Sequence, residues 1–284
     1  MEYFLLNINM DKESKVDYWI NERKFAPIFY GMNTINQIIN GETTLKRNQF
    51  RDASLFVKTF ENKNNDATIL SIGEEHIYIY RQDGKLKELE NYVQEGKTKG
   101  IVKGFQVKII EKILIKQCPL VLVTIKSNKH MSLGTFKKIS SKQKGKSYFG
   151  NIKAIEYFIS EKKIQKANNF MEYLFCLSSL EFETLIAKMF EEEGYFVPAY
   201  KGGFIKNFDL FCTKNDKTIS LQIKLEMHEE YYNDCTDLYY CIINNTVSTD
   251  KIKTWKNIEH ELKSCPKTME WLKKTLYWIE LDDK

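Results

Sequence analysis

The stretch from Phe208 to Met227, FDLFCTKNDKTISLQIKLEM, admits few local structures. In its second half Ile219, Leu221, Ile223, Leu225 and Met227 alternate with Thr218, Ser220, Gln222, Lys224 and Glu226. That period of two belongs to a β-strand with one apolar face. Phe208, Leu210 and Cys212 alternate in the same way against Asp209, Phe211 and Thr213. A two-residue turn at Asn215-Asp216 makes the pair a hairpin and sets Asp209 opposite Gln222. Their β-carbons are then expected ~5 Å apart on one face, with Lys224 next along.

Two readings of that face stand side by side. Asp209, Gln222 and Lys224 form either the solvated side of a sheet or a catalytic site. A hard divalent cation such as Mg²⁺ or Mn²⁺ takes oxygen ligands, commonly one or two carboxylates with water and substrate phosphate. Asp209, the Gln222 side-chain oxygen and the backbone carbonyl of Ile223 supply such a set, and Lys224 is placed to stabilise charge building on a phosphate.

The segment before the hairpin, SSLEFETLIAKMFEEEGYFV, reads as an amphipathic helix. Phe182, Leu185, Ile186, Met189 and Phe190 make one apolar stripe. Ser178 with Glu181 three residues on is a capping box, and Gly194 sits where a left-handed stop belongs. At ~100° per residue Glu183 lies at the edge of the stripe, from where its carboxylate reaches toward the sheet. As an alternative, Glu181 and Glu183 are capping or solvated acids beside the positive helix N-terminus.

At 284 residues the chain is long for one domain. Hydrophobic residues make up 43% and charged residues 29%, which excludes wholesale disorder. No apolar run approaches the ~18 residues of a membrane span, and the start MEYFLLNINMDKESK lacks the pattern of a secretion signal, so a cytoplasmic protein is expected. Six cysteines without a CxxC pair suggest reduced thiols rather than a zinc site or disulfide scaffold. The net charge of +5 is uneven: between Lys126 and Lys146 stand Lys126, Lys129, Lys137, Lys138, Lys142, Lys144 and Lys146, with no acid. Such a run either neutralises nucleic-acid phosphates or remains a solvated linker.

The pattern divides the chain near residue 150, into residues 1–145 and 150–284. The first part reads as a mixed, mainly antiparallel β (α+β) domain. Strands are expected over Thr68–Leu70, His76–Tyr80, Phe105–Ile115 and Pro119–Ile125, with a tight turn at Asp83-Gly84 and a helix over Met32–Ile39 ended by Gly41. Among Tyr3, Phe4, Tyr18, Trp19, Phe29, Tyr30, Tyr78 and Tyr80, core filling is the expected role of most, and a stacking platform for bases the alternative. Several features faintly resemble the PUA/EVE-like modified-base readers, which implies a recognition or sensor role.

In the second part Phe182-Glu183, Gly194-Tyr195, Val197, Gly202-Gly203, Asp209-Leu210 and Gln222-Ile223-Lys224 follow one another in an order that resembles the Mrr-like restriction endonucleases. That family belongs to the PD-(D/E)XK superfamily, here in a QxK variant. The resemblance covers roughly residues 170–284. It implies an α/β fold with a mixed sheet flanked by helices, and a site in which Asp209 and Gln222 bind a divalent metal with Lys224 and the helical Glu183. Downstream, strands over Leu238–Asn244 and Thr275–Leu281 and a helix over Asp250–Lys263 fit the same architecture.

The expectation is therefore a Mg²⁺- or Mn²⁺-dependent DNA endonuclease of type II or IV restriction, acting in antiviral defence. The first domain would recognise the target, modified DNA included, and the second would cut it. A homodimer would bring two active sites to a double strand. The alternatives are an inactive nucleic-acid-binding or regulatory module of the same fold, and a ribonuclease.

Overall fold

The computed structural model describes residues 1–8, 16–62, 66–93, 99–127, 129–140, 142–143, 146–198, 208–245 and 249–282. Side chains at 90–93, 99, 129–130, 142–143 and 146–147 are outside this description, as are Lys144, Gly202 and Gly203. The chain divides into two compact units, one of residues 1–118 and 122–140 and one of residues 119–121 and 141–284.

Unit 1 is a mixed sheet built on aromatic packing. Its strands are β1 (Glu2–Leu6), β2 (Phe25–Phe29), β3 (Ala67–Ile72), β4 (His76–Gln82), β5 (Lys87–Val93), β6 (Lys99–Leu114) and β7 (Phe136–Ile139). They run in the order β2-β6-β4-β3-β1-β7, with β5 also on β6. Only β1 and β3 pair in parallel among these. The turn expected at Asp83-Gly84 does not pair β4 with β5. Both pair with the long β6, and the Asp83 N–H donates to Gln106 across it.

Helix α1 (Ile35–Asn40) ends at Gly41 with φ +77°, a conformation glycine adopts without strain. Helix α2 (Arg47–Phe60) was not among the expected elements. Its stripe of Ala53, Phe56, Val57 and Phe60 is fully buried. Phe56 and Phe60 contact Phe105 at ring separations of 5.4 and 4.4 Å, and Phe4 stacks on Phe136 at 4.8 Å. Tyr3, Phe4, Trp19, Tyr78 and Tyr80 are likewise interior, so most of the aromatics are core.

The expected strand over Pro119–Ile125 is instead a short helix α3 (Leu120–Val123) and a 3₁₀ turn. An apolar run of this length has no decisive periodicity, and Pro119 pre-sets the backbone for a helix start. Helix α4 (Lys129–Ser132) follows before β7.

Unit 2 contains β8 (Lys142–Gln143), β9 (Lys146–Ser147), α5 (Phe149–Ile159), β10 (Gln165–Ala167), α6 (Phe170–Leu174) and α7 (Ser179–Glu192). After them come β11 (Leu210–Lys214), β12 (Lys217–Met227), β13 (Leu238–Asn244), β14 (Ile252–Lys253), α8 (Trp255–Glu261), α9 (Pro266–Thr275) and β15 (Ile279–Leu281). The main sheet runs β11-β12-β13-β14, antiparallel at β11/β12 and parallel at the other two pairings. Unit 2 is thus a mixed sheet flanked by helices. The expected strand from Thr275 is limited to β15, since α9 continues through Thr275. That strand pairs with β10 rather than with the main sheet.

Gly150 in α5 lies against the turn after α6. A β-carbon there would stand 2.4 Å from the Phe175 carbonyl oxygen and 2.7 Å from Cys176 Cα. Both are backbone atoms that cannot swing aside. Gly150→Ala is expected to destabilise the protein by ~1–3 kcal/mol, as overpacking does, read from the midpoint of denaturant unfolding; an unchanged midpoint would contradict this packing.

Candidate functional site

Helix α7 forms as its sequence requires. Ser178 caps it, its Oγ accepting from the Glu181 N–H at 3.2 Å while Glu181 Oε2 accepts from the Ser178 N–H at 2.8 Å. Burial raises the Glu181 pKa against the lowering effect of these bonds. Glu181 is thus the capping acid. The apolar stripe Phe182, Leu185, Ile186, Met189 and Phe190 is buried, and Phe190 meets Tyr240 at 5.9 Å. Since Tyr240 pairs with Ile223, α7 lies on the Ile223 face of the sheet.

Gln222 and Lys224 point to the other face, with Tyr239. That face is covered by the link from β12 to β13, which contains one 3₁₀ turn, Glu229–Tyr231. Tyr232 stacks on Tyr239 at 5.2 Å, and Lys224 Nζ lies 5.9 Å from the centre of the Tyr231 ring. Asp237 Oδ2 accepts from the Ser220 N–H at 2.8 Å and its hydroxyl at 2.7 Å, bonds that lower the Asp237 pKa. As a result Ser220 and Gln222 are each only 7% exposed. A fully solvated polar face is therefore excluded at these two positions.

The hairpin register is the expected one from Lys214/Lys217 back to Leu210/Leu221, and Asn215 and Asp216 both take positive φ at the turn. At Asp209 it departs. The Asp209 N–H donates to the Leu221 carbonyl at 2.7 Å, the residue Leu210 already faces, so the ladder ends there and Asp209 is not paired with Gln222. The next inward-facing N–H on β12, that of Ile223, has no strand to meet. Asp209 Oδ2 takes it at 2.7 Å and accepts from Lys224 Nζ at 2.6 Å. Both bonds fall on Oδ2, and Oδ1 carries none among the described residues. The two side chains remain 21% and 27% exposed, so solvent and small ligands reach the pair.

The structure thus joins Asp209, Ile223 and Lys224, with Gln222 immediately beside them. Glu183 is half-buried on α7, the helix on the opposite face. Among the described residues no group of three or more His, Cys, Asp and Glu side chains gathers for a metal. The candidate donors for a hard cation here are fewer: Asp209 Oδ1, the Gln222 amide oxygen and the Ile223 carbonyl, which leaves β12 on the same edge as its N–H. One carboxylate and two neutral oxygens suit Mg²⁺ or Mn²⁺ that keeps most of its waters.

Unit 1 carries a separate cavity of 1120 Å³. Its mouth has Met32 and Leu133, 63% and 60% exposed, and its floor the carboxylate of Asp52, which is 4% exposed. Lys137 Nζ donates to Asp52 Oδ1 at 3.1 Å and the Thr135 N–H to Oδ2 at 3.1 Å. Gly134, with φ +110°, permits this: a β-carbon there would lie 2.1 Å from Asp52 Oδ2. Asp52 sits beside the buried stripe of α2, and the helical period of RNQFRDASLFVKTF is the signal that would have found it.

The lysine-rich stretch is corrected in part by these contacts. Lys137 is committed to Asp52 inside the fold. Lys126 is half-buried, donates to the Ile72 carbonyl at 2.8 Å and has its pKa lowered by desolvation. Lys138 pairs with Glu2 at the surface. The backbones of Lys129, Lys142 and Lys146 are placed but their side chains, and all of Lys144, lie outside the described residues.

Behind the cavity wall Lys103, fully buried on β6, donates to the Asn33 carbonyl at 2.5 Å. Burial pulls its pKa down to about 8, partly offset by Glu88, whose carboxylate accepts from the Ile35 N–H. The unfolded chain then binds a proton that the folded chain lacks between pH ~8 and the ordinary lysine value near 10.4, so stability rises with pH across that window. Relative to Lys103→Met, unfolding free energy measured by denaturant titration is expected to climb from pH 8 to 10; a constant difference would contradict the assignment.

Compared with known proteins, the chain matches no family model, no curated protein and no solved structure.

Proposed function

We propose that the protein is a metal-dependent endonuclease whose second unit hydrolyses phosphodiester bonds of DNA and whose first unit recognises the target. The observation that carries this reading is the Asp209 carboxylate at the end of the β11/β12 ladder, fixed by the Ile223 N–H and Lys224 with one oxygen unengaged among the described residues. A rigidly held carboxylate beside an ammonium, open to solvent on a sheet edge, is the arrangement phosphodiester hydrolysis needs.

The residues divide the work by position. Asp209, Gln222 and the Ile223 carbonyl would hold Mg²⁺ or Mn²⁺, with Glu183 reaching the same edge directly or through water. Once bound, such an ion lowers the pKa of a coordinated water and offsets charge on the phosphate. Lys224, 2.6 Å from Asp209, would share its three ammonium donors between that carboxylate and the non-bridging phosphate oxygens of a bound substrate. A new P–O bond forms from water, one bridging P–O bond breaks, and the departing oxygen leaves with a proton. The buried Gln222 contributes a neutral oxygen, so the site carries less negative charge than one with two carboxylates.

In unit 1 the cavity has Met32 and Leu133 among polar side chains at its mouth and a carboxylate floor, which suits a base turned out of its strand. Recognition of altered bases, and hence restriction of foreign DNA inside the cytoplasm, follows from pairing that cavity with a nuclease. No described helix is long and apolar enough to cross a membrane. Double-strand cleavage favours a homodimer, which would supply two sites.

A second reading, a binding module without catalysis, draws on the Lys224–Asp209 ion pair, which occupies the carboxylate that a metal needs. One assay separates them. The full chain is incubated with Mg²⁺ or Mn²⁺ and single- and double-stranded DNA and RNA, methylated and unmethylated. Cleavage of DNA is expected, lost by ~10²-fold or more in Asp209→Ala and Lys224→Met, as when one transition-state donor is removed. Full activity in Asp209→Ala sinks the site, binding without cleavage supports the second reading, and cleavage of RNA alone makes the protein a ribonuclease.

A further inference from the structure

Among the described side chains of unit 1, two arginines outside the lysine-rich stretch are placed to hold a nucleic-acid backbone. Arg47 and Arg51 stand one turn apart on the exposed face of α2. Four-residue spacing sets their β-carbons ~6 Å apart on one side of the helix. Arg51 also lines the 1120 Å³ cavity, and its guanidinium approaches the cavity's Asp52 at 3.4 Å. A second depression of 720 Å³, lined by Arg47, Asn48, Phe50, Arg51 and Ser54, adjoins the cavity through Asn48 and Arg51.

Together these features form one continuous surface: a cavity with Met32 and Leu133 at its mouth, then an arginine at its lip, then a second arginine one turn farther out. No acid lies in the first turn of α2, so the positive end of the helix is not offset from within. The amide oxygens nearby serve the helix start. Asn48 Oδ1 accepts from the Gln49 N–H at 3.0 Å, and Gln49 Oε1 accepts from the Lys46 N–H at 3.2 Å. Of the residues lining the second depression, Arg47 and Arg51 carry the positive charge, and Arg51 also reaches Asp52 at 3.4 Å. At more than the ~300–1,000 Å³ of an ordinary small-molecule site, the cavity has room for a nucleotide rather than a bare base.

We propose that Arg47 and Arg51 grip consecutive backbone phosphates of a DNA strand whose intervening nucleotide enters the cavity. The proposal rests on the reading of unit 1 as the recognition unit but not on catalysis by unit 2. Arginine suits the task because its planar fork meets two phosphate oxygens at once and never loses its charge. The arginines fix register, and the cavity receives the base.

The test is fluorescence anisotropy of the full chain with a labelled DNA duplex carrying one unpaired base, in EDTA so that cleavage plays no part, over a range of salt concentrations. Removing two phosphate contacts with Arg47→Gln/Arg51→Gln is expected to reduce the slope of log K against log salt by about 2, and to weaken binding alike for every sequence. Arg47→Lys/Arg51→Lys keeps the slope, and so does Lys58→Gln at the far end of the same helix. An unchanged slope in the glutamine variant, or wild-type protein whose DNA affinity does not fall with salt, overturns the proposal. Failure of the nuclease reading shows separately, as salt-dependent binding without Mg²⁺-dependent cleavage.

Discussion

The site in unit 2 depends on one satisfied backbone group. Where β11 stops at Leu210, the Ile223 N–H of β12 loses the strand that would have accepted it, and Asp209 takes that role. An unpaired buried N–H costs ~1–3 kcal/mol, so the fold itself holds this carboxylate in place. Lys224 then follows from strand geometry, because the next residue along β12 carries an ammonium within 2.6 Å of the same oxygen. Chemistry and folding share one bond, and the carboxylate needs no separate scaffold.

The rest of unit 2 maintains that edge. Helix α7 packs its apolar stripe on the Ile223 face, while the link bearing Tyr231 and Tyr232 closes the other, leaving Asp209 and Lys224 partly open between them. Unit 1 solves a related problem differently. There Asp52 is buried at the floor of a cavity, and Lys137, the Thr135 N–H and a glycine at Gly134 are arranged around it. In each unit an acidic side chain is bonded to both a backbone N–H and a lysine.

Much of unit 2 was legible because its signals are local. The capping box at Ser178, the stripe from Phe182 to Phe190, the positive φ at Gly194 and the Asn215-Asp216 turn each follow from a few adjacent residues. What escaped is non-local. The polar residues of β12 gave no sign that a link of Tyr231, Tyr232 and Asp237 would cover Ser220 and Gln222, nor that the ladder would break at Asp209. In unit 1 the lysines from Lys126 onward looked alike in sequence, yet Lys126 and Lys137 turn inward because carbonyl and carboxylate partners arrive from β3 and α2. Pairing of β10 with β15 is equally a tertiary result, joining segments far apart in the chain.

The central claim is that Asp209 is held ready for a divalent cation rather than merely closing a strand end. Electron paramagnetic resonance titration of Mn²⁺ into the full chain tests it directly, without any substrate or turnover. One Mn²⁺ per chain is expected to bind, and the site to disappear in Asp209→Asn, a variant whose amide oxygen still accepts the Ile223 N–H and so preserves the fold. Equal Mn²⁺ binding by the two proteins, or none by either, would contradict the account.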